Sequence, residues 1–277
     1  PDGDLAYGVL GGDPERLAAS VITVLYDRKS NAPMPYYEVL LGLSHDDGSG
    51  ESPDTQSFIS SLEALGRAHE IDRWVLEHVF EWMRGNPAAL EHVSGLAVNL
   101  SAQSIARSDF SAWLRDALAQ RGAQAHKLVF EITETAAIAG YGVAQEFIRE
   151  IRRFGCRFAL DDFGSGYTSY AHLKNLRTDI LKIDGSFVRD MAASESDAAM
   201  VKSMSDIAHI LGMQTVAEGV EQPEVLAMLA EADIDFAQGY AIERPFAMDL
   251  LADKIPRPAP LPADNDSPAD AVAGIST

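Results

Sequence analysis

"CRFALDDFGSGYTSY", residues 156–170, is the stretch on which the fold turns. A short apolar run ends on two adjacent acids, Asp161 and Asp162, and then breaks into polar residues spaced by Gly164 and Gly166. A continuously apolar run of this length, bounded by turn residues, reads as a strand buried on both faces, the kind used in parallel sheets. Just before it, "GVAQEFIREIRRFG" (142–155) reads as an amphipathic helix, with Gly155 in the position that favours a helix C-cap. Helix, strand and glycine-rich turn thus follow one another.

The unit repeats in both directions. Strand candidates are 19–26, 36–43, 95–101, 127–133, 156–162, 179–184, 214–220 and 235–240. Helices are predicted between most of them, at least two in 54–85, one ending at Gly122, one at Gly212, and one starting at Pro223. One helix between strands is the signature of parallel βα units. The first pair differs, because about ten residues between Tyr26 and Tyr36 are too few for a crossover helix. The first strand is therefore expected to run antiparallel to the second. The expectation is an α/β fold, a TIM-like (β/α)8 barrel with an antiparallel first strand; an open doubly wound sheet is the alternative. The 277 residues suit a barrel, which takes about 250. Residues 1–14 read as an N-terminal linker, 15–254 as the barrel domain, and the Pro-, Ala- and Asp-rich 255–277 as a flexible tail.

With 22 Lys and Arg against 42 Asp and Glu, the net charge is −20. That balance argues against a DNA or RNA polymer as partner, which needs clustered basic residues, and against direct contact with an anionic membrane. Cys156 is the only cysteine, so no internal disulfide forms, and its apolar surroundings suit a buried structural thiol. No apolar run is long enough to span a bilayer, and a cytoplasmic location is expected for this piece, a membrane anchor elsewhere in a longer protein being compatible with it.

Polar residues recur at the C-terminal ends of the strands: Glu38, Asn99, Glu131, Asp161, Asp162, Lys182, Asp184, Glu218 and Gln238. In a parallel barrel those ends converge on the face where barrel enzymes keep their chemistry. One acid there can be the N-cap of the next helix. Several acids at one face repel unless a cation compensates them, and oxygen ligands without His or Cys suit Mg2+ or Mn2+ rather than zinc. Two adjacent carboxylates suggest two ions, with Asp161 bridging and Lys182 orienting a water or meeting developing charge. The residues alone reach metal-assisted hydrolysis of a phosphoester. Gly164, Ser165 and Gly166 read either as a mobile loop over the site or as a plain βα turn.

"YEVLLGL", "EIDRWVL", "LAVNLSAQS", "LVFEITET", "FALDDFGSGYTS", "LKIDGSFV", "VAEGVEQ" and "AQGYAIERPF" occur in this order between Tyr37 and Pro245. In that order and spacing they resemble the EAL-domain family of cyclic di-GMP phosphodiesterases. The resemblance implies hydrolysis of cyclic di-GMP to linear pGpG with two Mg2+ or Mn2+ ions. It implies Glu38, Asn99, Glu131 and Asp161 as ligands of one ion, and Asp161, Asp162 and Glu218 around the second. Lys182 matches the catalytic lysine, with Glu38 and Glu221 beside it in the catalytic set. Gln238, Asp184 and Leu41 are expected at the substrate. Glu134, Ser165 and Gly166 are expected to steady the loop at 163–169. A homodimer and attached sensor or GGDEF-type domains are further implications.

The chain departs from the family pattern in places. Val39 replaces the alanine of the signature tripeptide, and the first strand lacks the usual Gln-Pro-Ile-like segment. Gly42 stands where the family usually carries an arginine that holds a ligand phosphate. Losing such a charge-assisted contact costs about 1.5–3 kcal/mol. This keeps open a second expectation, a catalytically weak or inactive receptor or scaffold. A metal-dependent lyase of the enolase kind is a third.

Overall fold

A computed structural model describes residues 16–24, 36–42, 55–166 and 170–255, with backbone alone for 16–24, 42, 123 and 170. The expected linker at 1–14 and all but the first residue of the expected tail lie outside the described residues. Ile255, assigned to the tail by its proline-rich context, is buried in the main core, so the packed domain extends one residue further than expected.

The strands are β1 (Arg16–Val24), β2 (Tyr36–Gly42), β3 (Gly95–Asn99), β4 (Leu128–Thr133), β5 (Arg157–Phe163), β6 (Ile180–Ile183), β7 (Gln214–Ala217), β8 (Phe236–Gln238) and β9 (Phe246–Ala247). From β2 to β8 each strand pairs in parallel with the next in sequence. β1 lies between β8 and β2 and runs antiparallel to both, so the order β2-β3-β4-β5-β6-β7-β8-β1 returns to β2. The two-residue β9, absent from the sequence reading, adds to β1 at Ala18 and Ala19.

The helices used below are α1 (Thr55–Ala64), α2 (Ala68–Gly85), α3 (Ser108–Ala119), α4 (Tyr141–Ile151), α5 (Gly185–Asp190), α6 (Glu195–Ile210) and α7 (Pro223–Glu231). α2 buries Ile71, Val75, Leu76, Val79, Phe80 and Met83, the three-and-four spacing of a single apolar face. α4 does the same with Ala144, Phe147, Ile148 and Ile151, and the chain leaves it through Gly155 at φ 90°. No helix among the described residues is long and apolar enough to cross a membrane.

Two cores follow from strand alternation. One face of the sheet packs Val39, Val98, Phe130, Phe158 and Leu181 against the helices. The other encloses a small cluster of Tyr36, Ala97, Val129, Ala159, Ile180 and Val216, with Phe236 against it. Two residues beyond each of these, toward the C-terminal end of the same strand or just past it, stands a polar residue: Glu38, Asn99, Glu131, Asp161, Lys182, Glu218 and Gln238. Side chains two apart in a strand share a face. The small inner core is thus the floor on which the polar residues stand.

Candidate active site

Lys182 is the centre of that polar layer. Its ammonium lies 2.6 Å from Glu131, 2.8 Å from Glu218, 2.9 Å from Asp161 and 3.5 Å from Glu38. The side chain is 1% exposed. Burial alone would drive the ammonium toward neutrality, but Asp161, Glu131, Glu218 and Glu38 reverse this and raise its pKa well above the ordinary value. Lys182 is a fixed charge.

Glu38 is held from three sides. Its Oε1 accepts from Asn99 Nδ2 at 2.7 Å, and its Oε2 accepts from Gln238 Nε2 at 2.7 Å as well as from Lys182. Burial disfavours its charge, yet Lys182 and the two amide donors outweigh that and hold its carboxyl below the usual range. Gln238, expected at the substrate, therefore orients Glu38. Tyr36, which the sequence reading missed, donates to Glu131 Oε1 at 3.4 Å. Its signal was its position two residues before Glu38, on the same face of β2.

Four carboxylates around one ammonium leave a negative excess. Burial and Glu38 raise Glu131 well above the carboxylate range. Burial and Asp161 push Glu218 up to about 8, and burial, Asp161 and Asp184 push Asp162 up to about 6. Ligand oxygens of Asp161, Asp162 and Glu218 lie within 4.8 Å of one another. This donor set fits a hard divalent cation: it is all carboxylate oxygen, part-buried, and short of positive charge.

Asp162 reaches that cluster through an irregular backbone. The pairing of β5 with β6 shifts register between Leu160 and Phe163, and Asp162 takes φ 55°. An extended residue after Asp161 would face the helical layer; the left-handed turn swings Asp162 back to the mouth. The loop that follows is tied down by Glu134. Its Oε2 accepts the backbone N–H of Gly164 at 2.9 Å, and a Cβ on Gly166 would stand only 2.6 Å from its Oε1. Ser165 bonds the carbonyl of Asp162 through its hydroxyl at 2.8 Å, closing the turn from within.

Three expected residues sit differently. Leu41 packs with Tyr37 and Val39 against the main core, on the face of β2 opposite Glu38; alternation gives Leu40 to the site face instead. Asp184 caps α5, accepting from Ser186 N–H at 2.7 Å, while remaining close enough to raise Asp162. Glu221 is exposed, beyond the turn at Gly219 (φ 61°), and among the described residues no hydrogen bond or ion pair joins it to the cluster.

Residues 26–245 match the EAL domain family. The chain is 37% identical over 210 residues to "Cyclic di-GMP phosphodiesterase PdeF" of Escherichia coli, covering 76% of this chain and 28% of that protein. It is 38% identical over 208 residues to "Cyclic di-GMP phosphodiesterase PdeB" of Shewanella oneidensis, covering 75% of this chain and 24% of that protein. It spans about a quarter of the length of these curated relatives. The crystal structure of the FimX EAL domain from Pseudomonas aeruginosa bound to c-di-GMP superposes with a TM-score of 0.75 at 27% identity, covering 88% of this chain and 96% of that one. Its own polar layer and these matches lead to one assignment: the chain belongs to the EAL domain family.

Proposed function

We propose that this domain is a metal-dependent phosphodiesterase that opens cyclic di-GMP to linear pGpG, on a TIM-like (β/α)8 barrel with an antiparallel first strand. The reading rests on Asp161, Asp162 and Glu218 converging beside Lys182 at the C-terminal ends of the strands. The names of the relatives and the ligand of the similar crystal structure support the substrate. Glu38, Asn99, Glu131 and Asp161 would hold one Mg2+ or Mn2+ ion, and Asp161, Asp162 and Glu218 a second. When bound, such ions supply polarisation of the phosphodiester and a water acidic enough to attack at neutral pH.

The chain's own residues supply the rest. Gln238 and Asn99 lock the Glu38 carboxylate in one orientation. Lys182, permanently charged, fixes the carboxylates of Glu131, Glu218 and Asp161 in place, and its positive charge favours the negative charge that builds on the non-bridging oxygens. The water oxygen forms the new bond to phosphorus as the bond to the 3′-oxygen breaks. That oxygen takes up, through solvent, the proton the attacking water gives up, leaving a 5′-phosphate and a free 3′-hydroxyl. Glu134 holds the loop after β5, and with it the turn that presents Asp162. We also propose a cytoplasmic homodimer carrying further sensor or GGDEF-type domains; the share of its relatives' length that the chain spans supports the further domains.

The test is incubation of the purified chain with cyclic di-GMP and Mg2+ or Mn2+, followed by chromatography of the nucleotides. The wild type should yield pGpG, and Lys182→Ala should lower kcat by about 10²–10³. A metal-bound wild type that yields none sinks the proposal. Gly42, which ends β2 with no side chain to meet a phosphate, favours one second reading, a receptor without turnover. Calorimetry showing nucleotide binding by a chain that yields no pGpG would select it.

A further inference from the structure

Arg189 lies in the last turn of α5 and is exposed. Its guanidinium rests where the segments leaving β6 and β7 meet. A Cβ on Gly185 would stand 3.0 Å from Arg189 Nη1, and one on Gly219 would stand 3.2 Å from it. The two glycines also approach each other, since a Cβ on Gly185 would be 3.3 Å from the Cα of Gly219. Only bare backbone on both segments leaves this seat. Gly185 directly follows Asp184, and Gly219 directly follows Glu218, whose carboxylate touches Lys182. The guanidinium therefore lies against the backbone that directly follows Asp184 and Glu218.

The side chain also has no partner. The chain carries 42 acids against 22 basic residues, yet among the described residues Arg189 makes no ion pair and no hydrogen bond. Arg67, Arg73, Arg107 and Arg149 all pair with a neighbouring carboxylate. In the stretches that follow β6 and β7 (184–190 and 218–222) Arg189 is the only Lys or Arg. Lys182 is itself enclosed by carboxylates. An exposed, unpaired guanidinium above a site that takes a dianion is suited to a phosphate, which it can grip with two parallel N–H donors.

We propose that Arg189 is a substrate-contact residue, binding the phosphodiester of the cyclic dinucleotide that is not being cleaved. This rests on the function proposed above. Arg189→Ala and Arg189→Lys should be compared with wild type in steady-state turnover with Mg2+, in binding of cyclic di-GMP by calorimetry with Ca2+, and in thermal melting. Arg189→Ala should raise KM and Kd at least about tenfold, with kcat within about twofold and an unchanged melting temperature. Arg189→Lys should recover part of the loss.

A merely bracing role between Gly185 and Gly219 predicts the opposite split, a lower melting temperature and lower kcat through displacement of Glu218, with KM unmoved. That result, or an unchanged KM and Kd, overturns the proposal while wild-type turnover leaves the phosphodiesterase reading standing. A wild type that neither binds nor hydrolyses cyclic di-GMP removes that reading, and Arg189's role with it.

Discussion

Glu218 carries the charge imbalance of the site in a form that can be titrated. Its carboxyl moves from the ordinary 4.5 up to about 8, because burial and Asp161 outweigh Lys182. The folded, metal-free domain keeps a proton there that the unfolded chain has released, so this contribution to stability is full below about pH 4.5 and is lost as the pH rises through about 8. In EDTA the melting temperature should therefore fall between pH 6 and pH 9. Mg2+ should shrink that fall, because the ionised carboxylates become ligands. An equal fall with and without metal would count against a cation at this site. Asp162 is the second residue whose geometry exacts a cost. Holding a non-glycine residue at φ 55° costs on the order of 1–2 kcal/mol. Asp162→Asn, a residue that tolerates this backbone region and removes repulsion from Asp161 and Asp184, should raise metal-free stability by about 1 kcal/mol and reduce turnover. Denaturant melts and product assays on the same preparation check both halves. The acids at 161 and 162 were legible in the sequence because they end an apolar run. The turn that brings them to one face was not, since it arises from the register slip against β6 and leaves no residue pattern of its own.

Between elements, α2 reaches the site through Asp72. Its Oδ2 accepts the backbone N–H of Ser101 at 2.7 Å and the hydroxyl of Ser104 at 2.6 Å, pinning the start of the helix Ala102–Ala106 that follows Asn99. Burial pushes its carboxyl up despite these donors. Asp72→Ala, which strands both donors in the interior, should cost about 2–3 kcal/mol, whereas Asp72→Asn keeps an acceptor oxygen and should cost less than half of that; urea midpoints distinguish the two. The stretch "EIDRWVL" reads in the sequence as part of a helix, and its acid had no task beyond the resemblance; this bond gives it one. Strand positions were readable because parallel strands are continuous apolar runs, so each of the eight candidates overlaps an observed strand. Facing was harder to read. Runs such as "YYEVLLG" are apolar on both faces, which is how Leu41 was expected at the substrate although it packs against the helices. β9 is two residues long and carries no periodicity at all.

At the scale of the whole molecule, Cys156 reports on integrity. Burial pushes its thiol up to about 12, so at pH 8 it should resist iodoacetamide until the domain unfolds. Mass spectrometry across a urea series should show alkylation appearing with the loss of circular dichroism; earlier modification would mean that the β5 region opens on its own. The sequence showed the parallel βα units from β2 onward, and its short first connection pointed to the antiparallel pairing of β1 with β2. It did not show that β1 closes the sheet against β8, since nothing local links residues so far apart. That closure has a consequence in time. Ile22 pairs with Gln238, and Gln238 in turn bonds Glu38, 200 positions away in sequence. During synthesis β2 and β3 emerge early, but the edge of β2 has no partner on the β1 side that is itself secured until β8 arrives. Contacts of such long range form slowly and leave strand edges open to wrong pairings while they wait. The nascent domain should thus stay open to wrong pairing until β8 leaves the ribosome, when the closed sheet and the polar layer around Glu38 are completed together.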